Sequence, residues 1–180
     1  LIPCIGYDRW SDETYSSFIQ QQMLKNVPLV SALRIDRAAM GDLGTDHHFS
    51  SILSDIVQTT GLNVSTSIAI LDLGDLAEID IIDAADTVIE MVRICREHGF
   101  GLISVGGSSF PDSVNKAVPE HWSAANVCRL EKELLLDIIA TCGVRRLALT
   151  DYGVRNPRSH EGGGSNANGK IRYTTADGHH

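Results

Sequence analysis

The sequence predicts an α/β protein built on a parallel β-sheet of repeated strand–helix units. Three observations carry that prediction. Five short apolar, β-branched runs recur along the 180 residues at intervals of about one strand–helix unit. The segments between them change to a helical period. Residues that start and stop helices stand at the boundaries between the two patterns.

The first run, residues 1–5, precedes a segment in which Tyr15, Phe18, Ile19 and Met23 share one helical face, with Ser11 or Asp12 available to accept hydrogen bonds from the first-turn amides. Residues 28–35 form the second run. A helix follows, carrying Phe49, Ile52, Leu53 and Ile56 on one face, with Thr45 or Asp46 as its cap and Gly61 as its stop. The third run, residues 67–73, leads to a helix with Ile79, Ile82, Ile89 and Val92 on one face and Gly99 after its last turn. The fourth, residues 101–105, leads to a helix with Val127, Leu130, Leu134 and Ile138, capped by Ser123 and ended by Gly143. Residues 146–150 are the fifth run, and a sixth strand over 170–175 follows a loop spanning 152–169.

Near-continuous apolar runs of this length suit strands buried on both faces, and their alternation with amphipathic helices implies a parallel sheet covered by helices. A chain of 180 residues with 43% hydrophobic content is expected to bury one core, so 1–180 is read as one domain. Six strands are too few to close an eight-stranded barrel. The expectation is therefore a partial or truncated TIM-type (βα) barrel, the C-terminal portion of a longer one. Within it, residues 154–169 are expected to be a flexible loop. Its stretch Glu-Gly-Gly-Gly-Ser-Asn-Ala-Asn-Gly at 161–169 has little to bury and much backbone freedom to lose, as a plain linker or as a lid.

A formal charge of −8 leaves no basic field to hold a phosphate backbone, which excludes duplex nucleic acid as an expected partner, although a local basic pocket is compatible with it. No run reaches the roughly 18–20 apolar residues that span a bilayer, and the first residues lack a basic stretch followed by an apolar one. A cytoplasmic protein without a membrane partner is the expectation. Cys4, Cys95, Cys128 and Cys142 are scattered rather than paired at metal or redox spacing, as buried reduced thiols would be. Gly178, His179 and His180 are natural or belong to a tag, and no metal role is assigned to them.

In parallel strand–helix proteins the residues just after each strand gather on one face, where ligands bind. Asp36, Asp72 and Asp151 each close an apolar run, and converging carboxylates would hold a divalent metal or divide acid and base roles. Helix caps or ion pairs with Arg34 or Arg172 are the competing explanation for each. Arg34 and Arg172 carry guanidinium forks that recognise phosphate or carboxylate, with ion pairing again the alternative. Gly107 and Ser108, in the Gly106-Gly107-Ser108-Ser109 stretch, would present amide and hydroxyl groups to an anion or form a tight turn. Tyr152 and Tyr173 stand beside the last two strand ends, and Tyr7 and Asp8 beside the first. The histidines, His48 and His98 among them, lack paired zinc-ligand spacing and read as surface residues. Trp10 and Trp122 fall in expected loops, as interface anchors or as covers over the end of the core.

Pro3-Cys4-Ile5, Leu33-Arg34-Ile35, Ile70-Leu71-Asp72-Leu73-Gly74, Gly106-Gly107-Ser108-Ser109-Phe110-Pro111, Arg129-Leu130-Glu131, Asp151-Tyr152-Gly153 and Ile171-Arg172-Tyr173-Thr174 occur in this order along the chain. Together they resemble the phage and bacterial Beta protein family over nearly the whole length. The resemblance implies a longer barrel-type protein with further strand–helix units before this region and a phage-related setting; it transfers no active site. Two functional readings follow. One is an enzyme of metal- or acid/base-dependent hydrolase type acting on a phosphorylated or otherwise anionic small molecule at the strand C-terminal ends. The other is a non-catalytic module that binds a phage or host protein.

Overall fold

All five apolar runs form strands, because they are short, β-branched and flanked by residues that break the extended run. In the computed structural model, which describes residues 2–25, 30–45, 47–77, 79–120, 122–143 and 147–151, these are β1 (Cys4–Gly6), β2 (Ala32–Asp36), β3 (Ile68–Asp75), β4 (Leu102–Ser108) and β5 (Leu147–Asp151). The side chains of residues 83, 114 and 151 are outside that description. So are the expected sixth strand, the loop over 154–169, Asp46, Tyr152, Arg172 and Tyr173. Every strand pairs in parallel with its predecessor, giving the order β1-β2-β3-β4-β5. The parallel α/β class expected from the pattern is the class that forms.

Between the strands lie α1 (Glu13–Lys25), α2 (Ala39–Asp42), α3 (His48–Thr60), α4 (Ile81–Glu97), α5 (Val114–Ala117) and α6 (Leu130–Cys142), with a 3-10 turn at Tyr7–Arg9. Asp12 caps α1, its Oδ1 accepting from the Thr14 and Tyr15 amides at 2.8 and 3.3 Å. Gly61 and Gly143 end α3 and α6 at φ +66° and +58°, a left-handed backbone that costs a residue without Cβ little, and their amides close the last turns on Val57 and Ile139.

Two expected caps, Thr45 and Ser123, are corrected; the Asp46 alternative lies outside the described residues. α3 is entered through His47, itself left-handed at φ +61°, and the Thr45 carbonyl rather than its hydroxyl receives the His48 amide. α6 starts at Leu130 without a side-chain cap, while Ser123 sits seven residues upstream and donates to the Glu120 carbonyl at 2.6 Å. A capping residue read from sequence marks where a helix can begin, not where packing makes it begin.

Register sorts the sheet into two faces. Leu33 pairs with Ala69 and Ile35 with Leu71, which continue to Ile103 and Val105; all are buried, in one apolar cluster with Leu53, Ile56, Met91, Val92, Leu134 and Ile138 of the helices. Each such Leu, Ile, Val or Met side chain contributes roughly 1.5–3 kcal/mol relative to exposure. Phe18 and Ile82, expected on the buried faces of their helices, are instead 55% and 80% exposed, and Val88 and Met91 take the inward positions of α4. Alternate residues form the opposite face, in the rows Gly6–Arg34–Ile70–Ser104–Ala148 and Asp36–Asp72–Gly106–Thr150.

The Gly-Gly pair lies inside β4 rather than in a turn. A Cβ on Gly106 would stand 2.5 Å from the Thr150 carbonyl oxygen, and one on Gly107 would stand 2.8 Å from Leu76 Cγ. Their lack of side chains lets β5 and Leu76 close on the strand.

Candidate functional site at the strand C-terminal ends

Parallel pairing brings Arg34, Asp36 and Asp72 to one end of the sheet. Asp36 and Asp72 are partners on adjacent strands, so their side chains leave the same face in the same row. Arg34 Nε donates to Asp72 Oδ2 at 2.6 Å, and Arg34 Nη1 lies 4.0 Å from Asp8 Oδ1 in the 3-10 turn. The Asp72 side chain is 11% exposed and the Arg34 side chain 41%, so the carboxylate anchors the guanidinium from beneath while the arginine reaches toward solvent. Asp72 Oδ1 also accepts from the Gly74 amide at 3.1 Å, which fixes the anchor to its own turn.

Asp36 has different surroundings. Its Oδ1 is shielded from solvent and has no hydrogen-bond partner among the described residues. Burial, and after it the charge of Asp8, raises the carboxyl above its ordinary value, while Arg34 and the Asp36 and Ala39 amides pull the other way. A carboxyl so perturbed at a strand end is suited to proton transfer.

Beside Asp36 opens a cavity of about 420 Å³, walled in part by Tyr7, Asp8, Trp10, Asp42 and His48. The Tyr7 hydroxyl donates to Asp42 Oδ2 at 3.0 Å, and His48 Nε2 stands 4.0 Å from Asp42 Oδ1. Burial, the bond to Asp42 and the charges of Asp42 and Asp36 push the Tyr7 phenol far above its usual range, so it remains a donor. The Trp10 indole donates to Asp55 Oδ2 at 2.6 Å and is 7% exposed, so it covers the core end rather than offering a surface anchor. Trp122, by contrast, is fully exposed.

The other expected site residues are placed as follows. Asp151 pairs with Gly107, two strands beyond Asp72 and one row further along. Ser108 is 1% exposed with its Oγ shielded from solvent, and Gly107 is buried. The turn after β4 is instead held by buried Glu131, whose Oε2 accepts from Ser109 Oγ at 2.6 Å and from the Ser109 amide at 3.3 Å, while Oε1 accepts from Arg129 Nε at 2.9 Å. Among the described residues no three His, Cys, Asp or Glu side chains converge as a metal site. His98 is half-buried rather than fully exposed, its ring bridging the Ile94 carbonyl at 2.9 Å and Ser54 Oγ at 3.0 Å.

Sequence position pointed to Tyr7 and Asp8, which directly follow β1, but nothing in the pattern marked Asp42 or His48. Both sit in polar stretches around two short helical turns, and only the packing of α2 against β2 and α3 brings them to the strand end.

No helix among the described residues is long and apolar enough to cross a membrane. No curated protein and no solved structure matches the chain. A family model described as Beta protein matches residues 1–179, and the chain belongs to that family.

Proposed function

We propose that this member of the Beta protein family is part of a (βα) barrel whose strand C-terminal rim binds and transforms a phosphorylated or otherwise anionic small molecule. The barrel reading is supported by a strand order that advances without reversal. Doubly wound sheets reverse direction at a switch point, whereas barrels keep adding each strand beside the last, with right-handed crossovers setting the helices on one face. The polar rows on the other face would then line the barrel interior.

The observation that carries the enzymatic reading is Asp36: a carboxyl with one oxygen shielded and unpartnered, its proton affinity raised, at the rim beside a cavity. In a hydrolytic step Asp36 would accept a proton from the attacking water, and Arg34, oriented by Asp72, would hold the negative charge that develops on the substrate. Asp8, Asp36 and Asp72 oppose an anion through like charge. The raised proton affinity of Asp36 lessens that opposition, and a divalent cation bound by Asp36 and Asp72 would lessen it further. Arg172, outside the described residues, is proposed as a second anion contact, and Asp151 as a further carboxylate.

The test is thermal unfolding with inorganic phosphate, phosphorylated metabolites and Mg²⁺, on the wild type, Arg34→Ala and Asp36→Asn. A ligand at a hundred times its Kd stabilises the wild type by about 2.7 kcal/mol. That gain should vanish in Arg34→Ala, while Asp36→Asn should bind without turnover. Equal stabilisation of wild type and Arg34→Ala refutes the assignment.

Trp122 favours a second reading, a module that docks a phage or host protein. An indole at full exposure with a left-handed backbone, φ +60°, is an anchor without a socket in its own fold. If so, Trp122→Ala abolishes capture of a partner that the wild-type chain retains from infected-cell extract; capture unchanged by the substitution removes the reading.

A further inference from the structure

Between α3 and α4, two serines converge on one imidazole. His98 caps the C-terminus of α4, and its Nδ1 lies 2.9 Å from the Ile94 carbonyl oxygen. A carbonyl oxygen only accepts, so Nδ1 carries the proton and Nε2 presents a lone pair. Facing that lone pair from α3 are Ser54 Oγ at 3.0 Å and Ser50 Oγ at 3.5 Å, four residues apart. Hydroxyls inside helices commonly turn back on the carbonyl four residues earlier, as those of Ser16 and Thr60 do. The hydroxyls of Ser50 and Ser54 go to His98 instead.

Ser54 alone would make this a polar strut between two helices. Ser50 adds what a strut does not need, because it lines a second cavity, of about 490 Å³, together with His47, Phe49, Ile94 and Glu97. Among the described residues no side chain caps α3, so the first-turn amides, that of Ser50 among them, are placed to meet a developing oxyanion. Asp42, Glu90 and Glu97 outnumber Arg93 in the wall, and Arg93 is held between the two glutamates. An anionic substrate is opposed there, and a neutral one is not.

We propose that Ser50 and His98 are a nucleophile and its base, and that this cavity takes a small neutral carboxylic ester. Ser50 Oγ attacks the carbonyl carbon as its proton passes to His98 Nε2; the oxyanion collapses, the bond to the alcohol oxygen breaks, and the alcohol leaves with that proton. Water then attacks the acyl-serine by the same route, restoring Ser50 and releasing the carboxylic acid. The 3.5 Å separation is looser than a well-formed hydrogen bond, as such pairs often are before substrate binds. This site shares no catalytic group with the rim and stands or falls apart from it.

The probe is p-nitrophenyl acetate, given to the full chain. Release of p-nitrophenolate should saturate with ester concentration, and acid quenching followed by peptide mass spectrometry should find one acetyl group, on Ser50. Ser50→Ala, which keeps its far-UV circular dichroism because it removes only the looser contact, should lose the saturable rate. His98→Gln, which has no base to offer, should lower it about a hundredfold or more. Ser54→Ala leaves the Nε2 lone pair to Ser50 and should retain the rate or raise it, while Ser51→Ala, at an exposed position of the same helix, should match wild type. A strut gives another pattern, in which Ser54→Ala and His98→Gln lower Tm together and ester cleavage is indifferent to Ser50 and His98. That pattern, a rate that stays linear in ester concentration, or an acetyl group on another side chain in place of Ser50 overturns the proposal.

Discussion

Glu131 gives the sharpest test of how the turn after β4 is held. It lies in the first turn of α6, is 1% exposed, and spends both carboxylate oxygens on Ser109 and Arg129. Replacing it with alanine leaves the buried Ser109 hydroxyl without this acceptor and removes the carboxylate 2.9 Å from Arg129, whose side chain is only 12% exposed. Removing one member of a buried pair costs roughly 3–5 kcal/mol, and for a chain of this size that is a fall in Tm on the order of 10 °C. Glu131→Gln, which keeps an oxygen for Ser109, should lose about half as much.

The effect has a definite pH dependence. Burial pushes the Glu131 carboxyl up, but hydrogen bonds from Ser109, Arg129 and its own amide, with the Arg129 charge, outweigh it and hold it below its ordinary 4.5. A depressed carboxyl stabilises the fold above its unfolded value, and the contribution disappears as pH falls through the folded one. The gap between wild type and Glu131→Gln should therefore be full at pH 7 and shrink steadily below about pH 4.5. Urea unfolding across that range measures it. If Glu131→Ala melts within about 1 °C of wild type at pH 7, or the gap is the same at pH 3 as at pH 7, the turn is held by something else.

Three further outcomes follow from other contacts. Asp36 has the opposite sign: its carboxyl is raised above 3.8, so ionising it at neutral pH strains the folded state, and Asp36→Asn should be as stable as wild type or more so at pH 7, the difference fading as pH falls through the raised folded value and gone below about 3.8. A clear destabilisation at pH 7 by thermal melting would contradict the desolvation argument. Gly106→Ala places a Cβ 2.5 Å from the Thr150 carbonyl oxygen, a backbone atom that cannot swing aside, whereas Gly107→Ala meets the Leu76 side chain. The first should cost about 3 kcal/mol or more in chemical denaturation, the second about 1–3 kcal/mol, and only the second should be eased by Leu76→Ala. Asp55→Ala removes the acceptor of the buried Trp10 indole and should cost about 1–3 kcal/mol, with a shift in Trp10 emission absent from the Thr59→Ala control.

The rim was legible as a location before its geometry was. Asp36 and Asp72 each end an apolar run, and parallel pairing alone was enough to expect them on one edge, where they are direct partners. The pairing of Arg34 with Asp72 rather than with its near neighbour Asp36 was open, since it depends on which face each side chain leaves and how far a guanidinium reaches across one strand spacing. The Gly-Gly-Ser-Ser stretch misled for a related reason. Glycines and serines are turn residues by propensity, but here two glycines are required by the approach of β5 and Leu76, contacts more than 30 residues away in sequence on either side.

Hydrophobic period, glycine placement and run length determined the strands, the main helices, the parallel class and the sheet edge at which Asp36 and Asp72 stand, because these follow from local sterics and from the need of each apolar face to be covered. The tertiary structure decided the rest: which side of α1 and α4 turns inward, where α3 and α6 begin, that Glu131 holds the β4 turn through Ser109, and that Asp42 and His48 join Tyr7 and Asp36 around one cavity. Those outcomes turn on distances between segments far apart in the chain, and a carboxylate's chemistry is set by what lies within a few ångströms of it rather than by its neighbours in sequence.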